Sequence, residues 1–224
     1  MIPWVELGRA RIPDGGELRL MRRGAELSIM SGATELMNSR LSGSEEALAT
    51  LTCAPLANKD RPAVLIGGLG MGFTLRAALA NLPPRAEVTV AELVPAVVAW
   101  ARGPMAELFA GCLDDRRVTL READVAQVIS AARGAYDAVL LDVDNGPGGL
   151  NREANDGLYG FTGLNAAFHA LRPGGVLAVW SATQDTGFVQ RLRRSGFTVE
   201  EKTVRATGRK RGARHVIWLA QRGA

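Results

Sequence analysis

Residues 61–92 read RPAVLIGGLGMGFTLRAALANLPPRAEVTVAE, and no other stretch restricts the fold as much. An apolar run at 63–66 breaks into a loop holding Gly67, Gly68, Gly70 and Gly72. A helical pattern follows over 73–82, then a second apolar run at 88–91 that ends on Glu92. Strand, glycine turn, helix, strand and acid together open a doubly wound sheet that binds a nucleoside. The glycines permit a tight turn and a close backbone approach to a ligand. Glu92 stands about 20 residues past the last of them, where an acid can accept hydrogen bonds from ribose hydroxyls. The frame is GxGxG rather than GxGxxG, and a tight turn in another kind of α/β protein is the alternative.

The rest of the chain extends this pattern. Short strands are expected at 17–22, 25–31 and 34–39, with Gly24 and Gly32 as turn residues. A helix is expected from Ser44, taken as its N-cap, with Glu45 and Glu46 in the first turn and Leu48 and Leu51 leading to Cys53. From Pro62 onward strands and helices alternate, which implies a parallel sheet. Further strands are placed at 118–122, 138–141 and 176–180. A helix carrying Leu164, Phe168 and Leu171 closes at Pro173-Gly174-Gly175, and another spans 186–195. Strands at 197–204 and 214–220 form an antiparallel hairpin. The fold expected is α/β and Rossmann-like: a seven-stranded, mostly parallel sheet with helices on both faces and a small N-terminal β-appendage. Residues 1–55 would form the appendage and first helix, and 56–224 the nucleoside-binding domain.

Ligands of such sheets sit at the carboxyl ends of the strands. The glycine loop, Glu92, Asp124 and the acids Asp142 and Asp144 all fall there. Asp124 suits an exocyclic amine such as that of adenine, or caps the helix AQVISAA, or does both. Asp142 and Asp144 are two residues apart on an extended segment and point the same way. They suit the orientation or deprotonation of an amine; loop capping is the alternative. With no histidine near them in sequence, no metal is expected. His169 is read as structural and His215 as a surface residue.

Two cysteines, Cys53 and Cys112, lack metal-ligand spacing and are expected as buried thiols. The net charge of +4 comes from scattered arginines and a cluster at Arg205, Arg209, Lys210, Arg211 and Arg214. No aromatic residues interleave with that cluster, so it is read as a solvated hairpin loop and no nucleic-acid partner is expected. No apolar run reaches the length of a membrane span. The opening MIPWVELGRARIPDGG lacks the apolar core of a signal peptide, so a cytoplasmic location is expected.

The order of these motifs resembles class I S-adenosylmethionine-dependent transferases, and within them the spermidine synthase family. IGGLGMG resembles that family's glycine loop, and VAEL, READV and YDAVLLDVDNGP its next three strand ends. MNSRLSGSEEALATLTCAPL resembles its first helix, and LYGFTGLNAAFHALRPGGVLAVW its later helix and fifth strand. The resemblance implies S-adenosylmethionine, or its decarboxylated form, as co-substrate. It also implies a small-molecule acceptor, an amine, and a homodimer. Asp142 matches the family's first strand-four acid and would be its base, with a share in cofactor binding.

Several positions depart from the family. Gly70 stands where aminopropyltransferases carry an Asp toward the donor's amine. Thr162, Gly163 and Leu164 replace an acidic and aromatic stretch of the polyamine channel, and the first helix lacks the family's Gln, Tyr and His. Nucleoside binding therefore carries over, while the transferred group is left open between aminopropyl and methyl. A nucleoside-binding module without catalysis is the second hypothesis. A nicotinamide-dependent oxidoreductase is the third, disfavoured by ALRPGGVLAVW and the terminal hairpin.

Overall fold

A computed structural model describes residues 2–12, 15–143, 146–147, 157–207 and 212–224. Two sheets form. Strands β1 (Val5–Arg11), β2 (Glu17–Arg23), β3 (Glu26–Ser31) and β4 (Thr34–Asn38) make an antiparallel meander in that order. Helix α1 (Gly43–Cys53) leads from it into the large sheet. There, β5 (Ala63–Gly67), α2 (Phe73–Asn81), β6 (Glu87–Glu92), α3 (Pro95–Arg102), α4 (Ala106–Phe109) and β7 (Val118–Glu122) build one half. The other half is α5 (Val125–Ala131), β8 (Tyr136–Leu141), α6 (Phe161–Ala170), β9 (Leu171–Ser181), α7 (Thr186–Arg194), β10 (Phe197–Arg205) and β11 (Arg214–Arg222).

The seven strands lie in the order β10, β11, β9, β8, β5, β6, β7. β9, β8, β5, β6 and β7 pair in parallel, and β11 pairs antiparallel with both β9 and β10. The chain winds outward from β5 through β6 to β7, then crosses back to β8. Strand order therefore reverses between β5 and β8, and the crevice for a ligand opens at their carboxyl ends.

Alternation along each strand sends its residues to two separate cores. Val64, Ile66, Val88, Val90 and Leu140 pack with Leu48 of α1, Leu75 of α2 and Val97 of α3 on one face. Leu65, Val139, Leu141, Leu177 and Trp218 pack with Ile129 of α5, Leu164 of α6 and Phe188 of α7 on the other. Both faces are covered, which is why these strands read as unbroken apolar runs rather than as alternating ones.

Several elements depart from the sequence expectation. β1, α3 and α4 are additions: β1 reads VELGRAR, is mostly exposed and carries no apolar alternation to mark it. Its Gly8 leaves room for Trp100 of α3, whose Nε1 would lie 2.5 Å from a Cβ there. Helix α6 stops at Ala170, so Leu171 begins β9 and pairs with Tyr136 instead of extending the helix. Pro173 disfavours helical geometry at the residue before it, which moves the boundary back. Ser44 is not the cap of α1. The cap position is Ser42, without a side-chain cap bond, and Ser44 is buried inside the helix.

Candidate active site at the carboxyl ends of β5 to β8

The glycine loop follows β5 and must turn sharply into α2. Gly68 has φ 89°, and a Cβ on it would fall 2.4 Å from the carbonyl oxygen of Asp142. Gly72 has φ 80° where α2 begins, and a Cβ there would fall 2.5 Å from the Phe109 ring. Both positions therefore demand glycine on conformation and on space. Gly70, at the loop tip, faces Met37 of β4, whose sulfur would stand 3.3 Å from a Cβ. The appendage thus lies against the loop.

Glu92 ends β6 and is buried. Its Oε2 accepts a hydrogen bond from the Leu69 amide at 2.9 Å, and its Oε1 accepts one from the Val94 amide at 2.9 Å. Burial raises its pKa above the usual carboxylate value, against the opposing pull of those amides. The Gly70 and Leu93 amides also favour its ionised form, so the buried carboxylate gathers the loop around itself through backbone amides. Asp124 follows β7 and caps α5, its Oδ1 accepting from the Ala126 amide at 2.8 Å. The cap alternative holds at this residue, and Oδ2 is left over from it.

Asp142 directly follows β8. Its amide donates to the Gly67 carbonyl at 3.0 Å, which locks it beside the glycine loop across the switch point. Its Oδ2 accepts from the Thr74 hydroxyl at 2.6 Å, and Thr74 belongs to the first turn of α2. Burial raises the Asp142 pKa, with the Thr74 hydrogen bond opposing. Asp144 lies outside the described residues.

A further carboxylate joins this group from α1. Helix α1 packs against α2 and against β8, β9, β10 and β11, and its first amide donates to the Ala206 carbonyl at 2.9 Å. That docking carries Glu45 to Asp142. Burial first, and then the negative charge of Asp142, push the Glu45 pKa up to about 7. Ser44 Oγ donates to Glu45 Oε2 at 2.6 Å and lies 2.9 Å from His215 Nδ1. His215, expected at the surface, is instead half-buried, with its ring edge-on to Trp180 at 4.8 Å.

The structure therefore gathers Gly67, Gly68, Asp142 and Thr74 into one contact set, with Glu92 tied to the same loop through Leu69. Asp124 stands one strand further along, beyond β6. Sequence reasoning missed Thr74, Glu45, Ser44 and His215. Thr74 directly trails the glycine loop and was legible by position; the meeting of α1 with β8 is a tertiary event without a local signal. The open cleft of about 420 Å³ between α2 and the segment after α4, lined by Arg76, Leu79, Phe109, Cys112 and Arg117, contains none of these acids. No helix among the described residues is long and apolar enough to cross a membrane.

No protein-family model matches the chain. Over 130 residues it is 34% identical to polyamine aminopropyltransferase 2 of Pseudomonas aeruginosa, covering 56% of this chain and 35% of that one. Over 125 residues it is 37% identical to putrescine N-methyltransferase 4 of Nicotiana tabacum, covering 55% of this chain and 31% of that one. The chain thus spans about a third of the length of these curated relatives. The spermidine synthase from Thermotoga maritima superposes with a TM-score of 0.73 at 18% identity, covering 97% of this chain and 73% of that one. The fold is that of spermidine synthases and class I methyltransferases, and the sequence is spermidine synthase-like.

Proposed function

We propose that this spermidine synthase-like chain is a transferase that alkylates a small amine with S-adenosylmethionine or its decarboxylated form. The observation that carries the reading is the position of Asp142. It is held against the glycine loop at the switch point, where a nucleoside-bound donor would present its reacting carbon. When bound, the donor supplies a carbon made electrophilic by a positive sulfur. The chain's own groups do the rest. Residues 67–72 bring backbone close to the donor's tail, Glu92 accepts from the ribose hydroxyls, and Asp124 Oδ2 accepts from the adenine amine. Asp142 pairs with the acceptor's ammonium and takes its proton, with Asp144 as a second acid on the same segment. Positioning the amine in line, away from water, is the larger part of such catalysis.

Methyl transfer is the second form of this reading, and one observation favours it. Gly70, at φ 50° beneath Met37, offers no carboxylate to hold a donor's aminopropyl amine. The relatives of similar sequence include one named for each transfer.

Replacing Glu92 tests the nucleoside half of this proposal. Glu92→Ala is expected to weaken binding of methylthioadenosine by roughly 1–3 kcal/mol, the scale of lost hydrogen bonds to a charged group. Glu92→Gln keeps one accepting oxygen but sets its NH2 against the Leu69 or Val94 amide, so it too should weaken binding. Calorimetric titration reads both, and an unchanged affinity in Glu92→Ala would contradict the assignment.

A further inference from the structure

Helix α2 turns different faces to its surroundings. Residues two apart on a helix lie about 200° apart around its axis. Thr74, which bonds to Asp142, and Arg76 therefore leave α2 on nearly opposite sides. Arg76, Leu79 and Ala80, at i, i+3 and i+4, share the side turned away from Asp142. They form one wall of the cleft of about 420 Å³, and residues 109–112 form the facing one. A space of that size suits a small organic molecule.

Each charged group of the lining has an opposite partner except one. Arg117 meets Asp115 at 2.8 Å and also donates to the Leu79 and Leu82 carbonyls. Asp114 stands 3.6 Å from Arg102. Arg76 pairs with no carboxylate among the described residues. Its Nη1 donates to the Leu108 carbonyl, and its guanidinium sits 5.6 Å from the centre of the Phe73 ring. A guanidinium has five N–H donors, so most of them stay free for a ligand. The Arg76 charge also acts on the Cys112 thiol of the facing wall, opposing the burial that pushes that thiol up to about 11.

The facing wall is held in an uncommon backbone. Ala110 has φ 48° and is the only non-glycine residue with positive φ among the described residues. Gly111 follows at φ 79°. Such strain persists where the surrounding contacts over-determine it, and it gathers at ligand clamps. Here the double left-handed turn seats the Phe109 ring against Gly72 and returns Cys112 to the cleft.

We propose that this cleft is a second small-molecule site, separate from the strand-end site, and that it takes a small organic anion. The ligand class is a carboxylate or phosphate on an apolar body. Its anionic group accepts from the free donors of Arg76, and its apolar body lies along Leu79, Ala80 and Ala110. Nothing in this assignment depends on the nucleoside reading.

Amide NMR of labelled protein, titrated with benzoate, phenyl phosphate, benzamide and inorganic phosphate, tests it. Saturable shifts at Arg76, Ala80, Ala110 and Gly111 are expected with benzoate or phenyl phosphate, and the tighter of the two identifies the anionic group. Benzamide keeps the shape without the charge, and inorganic phosphate keeps the charge without the apolar body. Each should bind at least ~10-fold more weakly, the worth of one charge-assisted hydrogen bond or one buried ring. Arg76→Gln should cost the anion as much. Because Arg76 also holds Leu108, Ala80→Glu serves as a second variant. Ala80 is exposed, so the fold should tolerate a glutamate that sets a repelling charge on the wall.

No saturable shift at the cleft, equal binding of benzamide or of inorganic phosphate, or anion binding that survives either variant overturns the site. So does displacement of the anion by methylthioadenosine, or shifts confined to Gly68, Gly70 and Leu93, since both would put the anion at the strand ends.

Discussion

Asp142→Asn is expected to lower turnover by about 100-fold or more while leaving affinity for the donor nucleoside little changed. The substitution keeps the size of the side chain and its acceptor for the Thr74 hydroxyl, so packing beside Gly67 survives. What it removes is the charge that, on the proposed role, attracts an ammonium, and the lone pair that would take its proton. On the proposed role of Asp142 as base, the effect should fall mainly on kcat. Asp144 can compensate in part if it points the same way, so the double variant should fall further than the single one. Steady-state rates with putrescine as acceptor, beside calorimetry with methylthioadenosine, make the comparison. Parent-like rates in both variants would place the base elsewhere.

Asp137→Ala is expected to destabilise the fold by about 1–3 kcal/mol, the scale of leaving a buried donor without its acceptor. Asp137 is the second residue of β8, at the opposite end from Asp142, and is only 2% exposed. It accepts from the Ala63 amide at 2.7 Å, from Arg172 Nη1 at 2.6 Å and from Lys59 Nζ. One carboxylate thus joins β5, β8, β9 and the chain entering β5. Lys59 and Arg172 reach it from solvent, so they rehydrate when it is lost and add little to the cost. The Ala63 amide would be left buried without its acceptor. Urea denaturation measures the loss, and a change within about 0.5 kcal/mol, the scale of an ordinary surface substitution, would contradict this role.

Two acids should shape stability against pH with opposite signs. Burial raises the Asp137 pKa, but Lys59, the Ala63 amide and Arg172 outweigh it, and the net shift is downward. Its contribution is therefore full above the unfolded value of about 3.9 and is lost as pH falls through the folded value. Glu45 is raised to about 7, so its contribution is full in acid and is lost as pH rises through about 7. Thermal melts across neutral pH should show the second loss in the parent. Glu45→Gln should flatten it, while a slope unchanged by that variant would count against the raised pKa.

The large sheet was legible because each of its signals is local. Apolar runs at 63–66, 88–91 and 118–122 became β5, β6 and β7 within a residue or so, and the hairpin at 197–222 formed as expected. Glycine positions 67, 68, 70 and 72 were legible for the same reason, since positive φ and close approach leave a mark in a single sequence. Elements whose reason to exist is a distant partner were not. β1 is held by β2 and by Trp100 against Gly8, neither of which a reading of VELGRAR supplies.

The same division runs through the site. Glu92, Asp124 and Asp142 were placed by their strand ends, a rule of the fold. Glu45 read as an ordinary first-turn acid that complements the helix dipole. It becomes part of the site only when α1 docks over β8 and brings it to Asp142. Ser44 looked like a cap because serine at a helix start usually is one. Its hydroxyl is instead used between Glu45 and His215, and only the closed fold reveals that.

Calorimetric titration of the purified protein with S-adenosylmethionine, its decarboxylated form and methylthioadenosine tests the central claim most directly. Stoichiometric binding of at least one of the three is predicted, weakened in Glu92→Ala. Preference for the decarboxylated form would assign aminopropyl transfer, and preference for S-adenosylmethionine would assign methyl transfer. No binding of any of the three by folded protein would contradict the assignment of the β5 to β8 strand ends as a nucleoside sulfonium site.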